Sequence, residues 1–155
     1  MVLYIVAVGR MSDASLRAAC TDYAARVRRV WGLEIREVRS PAGRFPASER
    51  NRREGKRLLE ALPPNALAVA LTPDGRPETS EGLARRLAAW QVGGRDIGFV
   101  LGGADGLDAQ VIERCELALS LSPLTFPHEL ARLILLEQLY RGATILRGTP
   151  YHRGR

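Results

Sequence analysis

The sequence predicts an α/β fold built on a mostly parallel sheet, and three observations carry that prediction. The apolar runs VLYIVAV (2–8), ALAVALT (66–72) and DIGFVLGG (96–103) are continuous rather than alternating, as strands covered on both faces must be. Stretches with helical periodicity separate them, the strand–helix alternation that a parallel sheet requires. No internal repeat or linker interrupts the alternation, so residues 1–155 read as one domain.

The elements follow in order. The β-branched run 2–8 is a buried strand ending at Gly9. Asp13 can N-cap a helix in which Leu16, Cys20, Tyr23, Ala24 and Val27 recur at helical spacing. LEIREV (33–38) alternates apolar and charged residues, the pattern of a half-exposed strand. The stretch 40–57 has two prolines, two glycines and a dense basic run, and it begins as a loop. A helix then runs from about Ser48 to Leu62, where Pro63-Pro64 stops it. The strand 66–72 leads into a loop, PDGRPETS (73–80), whose Ser80 caps the helix EGLARRLAAWQ. After the strand 96–103, ADGLDAQVIERC reads as a short helix, ELALSLS as a strand and PLTFPHE as a loop with Pro127 near the first helical turn. The long helix LARLILLEQLYRGATIL (130–146) precedes the tail GTPYHRGR. Its apolar stripe is too wide for a helix half in water, so it should be covered by the sheet and by a further surface such as a second subunit.

Composition narrows the function. An apolar fraction of 46% is enough for a core and too high for disorder. No apolar run reaches the roughly 18–20 residues of a membrane span. The start MVLYIVAVGR lacks the basic region and cleavage site of a signal peptide, so no membrane partner is expected. Cys20 and Cys115 lie far apart and read as reduced thiols of a cytoplasmic protein. The two histidines and two cysteines have no ligand spacing, so no metal is expected. The net charge is +6, with Lys56 the only lysine. A base-composition bias in the source genome explains the choice of arginine, while the excess of positive charge points to polyanionic partners. The run Arg50, Arg52, Arg53, Lys56, Arg57 reads equally as a phosphate contact or as a solvated helix face, since Glu49, Glu54 and Glu60 interleave it.

In an open parallel sheet, ligands sit outside the carboxyl ends of the strands. Three segments fall there: LTPDGRP, LGGADGL and SLSPLTFPHE. Gly102, Gly103 and Gly106 allow backbone to approach a ligand, or simply make a tight turn. Neither G-x-G-x-x-G nor G-x-x-x-x-G-K-[ST] is present, so no phosphate-binding loop is supported. Packing of the last helix accounts for its leucines but leaves His128, Glu129, Tyr140 and Arg141 unexplained.

LGGADGL, then LSLSPLTFPHELARLILLEQLYRG, then a terminal PYHR resemble the RlmH family of SPOUT methyltransferases, over nearly the whole chain and in the same order and spacing. The family's bacterial enzymes methylate N3 of pseudouridine in helix 69 of 23S rRNA. The resemblance implies a SPOUT-type parallel sheet flanked by helices with a C-terminal deep trefoil knot, an exception to the usual connection rules. It implies S-adenosylmethionine as cofactor, held by Leu71, Thr72, Gly102, Gly103, Ser122, Pro123, Leu124, Thr125, Phe126 and Pro127. It implies a homodimer acting on the assembled ribosome, with Tyr151, His152, Arg153 and Arg141 on the substrate side. His152 could accept the N3 proton, Arg153 stabilise the resulting anion or hold a phosphate, and Tyr151 stack on the base. Arg141 could bind phosphate or orient the tail, and His128 stands between a catalytic and a structural role. The chain has Gly-Gly-Ala-Asp-Gly where Gly-Gly-Pro-Glu-Gly is commoner in the family, which leaves the role of Asp105 open. A non-catalytic rRNA- or ribosome-binding protein is the rival reading, and an α/β enzyme using another nucleotide a weaker one.

Overall fold

A computed structural model of the chain describes residues 1–153, with only the backbone described for His152 and Arg153. Five strands form one sheet: β1 (Val2–Val8), β2 (Gly32–Val38), β3 (Leu67–Pro77), β4 (Ile97–Leu101) and β5 (Leu117–Ser120). Their order is β2-β1-β4-β3-β5 and every pairing is parallel. Helices α1 (Ala14–Arg28), α3 (Ser80–Val92) and α5 (His128–Leu146) cover one face, and α5 packs against both α1 and α3. Helices α2 (Ala47–Ala61) and α4 (Ala109–Arg114) cover the other.

The continuous apolar runs are explained by these two cores. In β1, Leu3, Ile5 and Ala7 join the larger core with Phe99, Leu87 and Leu136. Val6 and Val8 point the other way, into a smaller core with Leu58, Val100 and Val111. Successive side chains of a strand alternate between faces, so a strand buried on both must be apolar throughout.

Four readings of the sequence are corrected. Residues 73–77 are not loop: β3 continues through them to Pro77. Leu119 of β5 pairs first with Leu71 and again with Arg76, so the segment between bulges out and returns to the same strand. Beyond Leu71 the strand has β5 alone as a neighbour, which is why Pro77 is tolerated. Gly75 lies flat on this crossing, where a Cβ would stand 2.6 Å from the Leu119 carbonyl carbon. Second, Thr79 rather than Ser80 caps α3. Its hydroxyl accepts from the Gly82 amide at 3.0 Å, while the Ser80 hydroxyl donates to Gln138 at 2.7 Å. Third, helix α4 is shorter than read, because Gly103–Gly106 closes a turn and Asp108 caps the helix. Fourth, α5 begins at His128, two residues early, directly after Pro127.

That early start gives Glu129 a structural role. Its carboxylate accepts from the Ser12 hydroxyl at 2.6 Å, the Ser12 amide at 2.8 Å and the Asp13 amide at 3.1 Å. It thereby fastens the first turn of α5 to the entry of α1, where Asp13 makes the expected cap to Leu16. These bonds, the Ser12 hydroxyl foremost, hold the carboxyl at a pKa of about 2, below its ordinary 4.5.

Two outcomes are expected. A lowered folded-state pKa stabilises the fold above the unfolded value and is lost as pH falls through the folded one. The difference in melting temperature between wild type and Glu129→Gln should therefore be constant above about pH 5. It should close between pH 4.5 and 2, and a gap unchanged over that range would contradict the assignment. Gly75→Ala should lower the urea midpoint by the equivalent of about 1–3 kcal/mol, the usual cost of overpacking.

Candidate functional site

The middle of β3 and the carboxyl ends of β4 and β5 converge on one cleft of about 140 Å³. Leu71 and Thr72 come from β3, Leu101 ends β4, and Gly102, Gly103, Ala104 and Gly106 form the turn behind it. Ser122, Leu124, Thr125 and Phe126 close the far side from the loop before α5. Three segments distant in sequence thus meet because the sheet places β3 between β4 and β5. Of the residues expected at a cofactor, Pro123 and Pro127 do not line the cleft; they flank residues that do. Pro73, Leu101, Ala104, Gly106, Leu121 and His128, which belong to the three expected segments, line it as well, and Ala131 lines it without having been expected there.

The lining is apolar on its walls and offers backbone polar groups at the strand ends. The turn depends on glycine, since a Cβ on Gly102 would stand 2.1 Å from the Gly106 carbonyl oxygen. Gly106 has φ +80°, a conformation that favours glycine. Ser122 turns its hydroxyl back to accept from the Leu124 amide at 3.0 Å, which shapes the loop. Leu124 itself is 71% exposed at the rim. Among the described residues neither arginine nor lysine lines the cleft, and His128 is the sole titratable side chain there. Such a surface suits a ligand with an apolar aromatic face and polar edges. Among the described residues it gives a phosphate no arginine or lysine to pair with. Asp105 turns away toward α2. There its carboxylate lies 3.6 Å from Arg50 and its carbonyl accepts from Asn51 at 3.0 Å. Glu54 lies behind the same turn, its Oε2 3.0 Å from where a Gly103 Cβ would be.

The tail lies elsewhere. Residues Pro150–Arg153 form a 3₁₀ turn packed on α5. The Tyr151 hydroxyl bonds Tyr23 at 3.0 Å and donates to Glu137 at 3.2 Å. Its ring packs edge-on against Tyr140 at 4.8 Å. Arg141 bonds Glu137 at 2.6 Å and lies over the Tyr151 ring at 5.2 Å. Burial, with help from Tyr23 and Glu137, raises the Tyr151 pKa above its ordinary range. The side chains of His152 and Arg153 lie outside the described residues, as do Gly154 and Arg155. Arg141 stands thirteen residues beyond His128 on α5, roughly 20 Å at 1.5 Å per residue. Among the described residues of one chain, therefore, Arg141 and Tyr151 do not line the cleft.

Among the described residues no group of His, Cys, Asp and Glu is arranged to hold a metal ion. None of the described helices is long and apolar enough to cross a membrane. Burial raises the Cys115 thiol to about 11. Glu49 bonds both Arg52 and Arg53, at 2.8 and 2.7 Å, and Lys56 lies 3.9 Å from Glu60. Much of the basic run on α2 is thus paired along its own helix.

Residues 1–152 match the family model described as "Predicted SPOUT methyltransferase". A protein of Burkholderia thailandensis named "Ribosomal RNA large subunit methyltransferase H" is 44% identical over 155 residues, covering 99% of each chain. One of the same name from Gemmatimonas aurantiaca is 42% identical over 154 residues, covering 99% of this chain and all of that one. Among solved structures, a probable methylase family protein of Haemophilus influenzae superposes with a TM-score of 0.55 at 14% identity. It covers 96% of this chain and 69% of its own. A probable methyltransferase of Bordetella pertussis does so at 0.51 and 20% identity, covering 90% and 95%. At those identities the structures speak for the fold alone.

Tyr151→Phe should cost about 1 kcal/mol through its lost hydrogen bonds, read by urea denaturation. Wild-type minus variant absorbance near 295 nm should show no phenolate from Tyr151 at pH 10, where an ordinary tyrosine is half ionised.

Proposed function

Because the chain belongs to the RlmH family of SPOUT methyltransferases, we propose that it methylates 23S rRNA of the assembled ribosome at N3 of a pseudouridine in helix 69. In this reading it is a cytoplasmic homodimer that uses S-adenosylmethionine, and residues 1–155 are one methyltransferase domain. The observation that carries it is the convergence of Leu71-Thr72, Gly102-Gly103 and the 122–126 loop on one apolar cleft with no cation for a phosphate. When bound there, S-adenosylmethionine supplies an electrophilic methyl group on a sulfonium. Leu71, Leu124 and Phe126 would cover its adenine faces, and the backbone of Gly102, Gly103 and Thr125 would read its polar edge. Thr72 and Ser122 add hydroxyls at the rim, while Pro123 and Pro127 keep the loop extended. The knot belongs to the same proposal. It is supported by the return of β3 over Leu119 and by α5, which leaves the edge strand β5 yet packs between α1 and α3.

The nucleophile N3 is an imide nitrogen that carries a proton at neutral pH, and that proton must leave as the new bond forms. His152 and Arg153 are the proposed groups for removing it and for stabilising charge on the flanking carbonyls, with Tyr151 on the base. His128 at the cleft is a second candidate to hold the proton. The length of α5 separates the cleft from the tail of its own chain, so a complete site needs the tail of a second copy. Leu133 and Ile134 remain half-buried on α5 and Leu146 is 43% exposed. They provide apolar surface for a two-fold interface.

Calorimetric titration should show S-adenosylmethionine binding by wild type and by a chain lacking 151–155. Gly102→Val should abolish it, because its Cβ meets the Gly106 carbonyl. Neither variant alone should methylate ribosomes from a strain lacking the enzyme. Mixed, they should recover transfer, since one cleft and one tail are intact in each heterodimer. RNA binding without cofactor uptake would indicate the non-catalytic reading, and no recovery on mixing would exclude the shared site.

A further inference from the structure

Beside the cleft lies a second concavity of about 290 Å³ between α1 and the edge strand β2. Arg10, Arg17, Arg28 and Arg132 line it, against the single carboxylate of Glu37, with Cys20 in its floor. Arg132 is 2% exposed, unlike the other three. Its Nη1 donates to Glu37 at 2.5 Å and its Nη2 to the Gly9 carbonyl at 2.8 Å, while its buried Nε has no partner among the described residues. The side chains of Arg10 and Arg17 make no ion pair or hydrogen bond among the described residues either. A buried guanidinium with an unmade bond is expensive, and an apolar side chain would fill the position at less cost. What the arginine adds is positive potential at the floor of a concave, low-dielectric surface.

The shape of the charge distinguishes among anions. Arg17 and Arg28 stand eleven residues apart on α1, roughly 16 Å, and Arg10 extends the row past the end of the helix. A free phosphate would use one end of such a row, whereas a phosphodiester chain would use all of it. A second copy of this chain, itself at +6, is poorly matched to the groove. The groove also adjoins the cleft. Arg132 follows His128 by one turn of α5 and holds the carbonyl of Gly9. His128 lines the cleft, and its Nε2 stands 3.7 Å from where a Gly9 Cβ would be.

We propose that the groove between α1 and β2, with Arg10, Arg17 and Arg28 along it and Arg132 at its floor, seats the phosphodiester backbone of the RNA substrate and leads one nucleotide past Gly9 to the cleft. It rests on the rRNA methyltransferase reading for the identity of the strand and on the groove itself for its chemistry. On α2, by contrast, Arg52, Arg53 and Lys56 are paired with Glu49 and Glu60, and Arg50 with Asp105.

The test uses the full chain and a fluorescein-labelled oligouridylate of about twelve nucleotides, with anisotropy read across a salt series. Arg10→Ala/Arg17→Ala removes two surface cations outside the core. It should weaken binding about tenfold or more and flatten the slope of log K against log salt by about 1.4, at 0.7 per single-strand phosphate contact. Calorimetry with S-adenosylmethionine should be unchanged, and the KM for ribosomes should rise with little change in kcat. Arg85→Ala, an exposed arginine on α3, is the control for net charge and should stay within about twofold. Unchanged affinity and slope in the double variant would overturn the proposal, as would an equal loss in Arg85→Ala. A double variant that becomes monomeric would overturn it in favour of an interface between copies. RNA binding that fails only in the double variant, from a wild type that transfers no methyl group, would uphold the groove and refute the enzymatic reading alone.

Discussion

Helix α5 is held between α1 and α3 by Leu135, Leu136 and Leu139, none of which water reaches, and by Ala143 beside them. Burial of each such leucine stabilises the fold by about 1.5–3 kcal/mol. Gly142 lets the contact with α3 close further, since a Cβ there would stand 2.9 Å from Leu87. This packing fixes where both ends of the helix fall. At the amino end, Glu129 ties down the entry of α1, Arg132 ties down Gly9, and His128 reaches the cleft. At the carboxyl end, Glu137 and Arg141 seat Tyr151. A rigid helix cannot bend these two sets of groups together. The separation of the cleft from Arg141 and Tyr151 is thus a direct consequence of the core, and it is the physical ground for proposing a site shared between two chains.

The cleft depends on backbone more than on side chains. The ends of β4 and β5, and the point where β3 parts from β4, present peptide groups at the cleft, and the glycines at 102 and 106 bring the turn in close. Helix α2 supports that turn from behind through Arg50, Asn51 and Glu54. Glu54 is 4% exposed and gives one oxygen to the Ser40 hydroxyl at 2.5 Å. The charged residues of α2 thus divide between holding the Gly103–Gly106 turn and pairing along their own helix. The pairing follows the i,i+3 and i,i+4 spacing of the sequence, while the hold on the turn does not show there.

Positive charge is distributed unevenly over the molecule. Most arginines with a nearby carboxylate are exposed pairs, as Arg95–Glu116 and Arg26–Asp22 are, and such pairs contribute little to stability. The groove between α1 and β2 differs because its arginines outnumber its acids and one of them is buried. The charge on Arg10 and Arg17, which make no ion pair among the described residues, is available for a partner.

The sequence by itself determined the parallel α/β class, because strands buried on both faces must be apolar at every position. It determined the Asp13 cap, the stop at Pro63-Pro64 and the three strand-end segments of the cleft, all of which are local patterns. The family resemblance rested on the last third of the chain, where motif order and spacing are visible without coordinates. Only the tertiary structure decided that β3 runs on to Pro77, because that pairing depends on Leu119, more than forty residues away. It alone decided that Glu129 serves α1 and that Arg132 is buried beside Gly9, both contacts across more than a hundred residues. It also decided that Tyr151 binds Tyr23 rather than facing the cleft of its own chain. Periodicity records which face of an element is covered. It holds no record of which distant side chain meets it there.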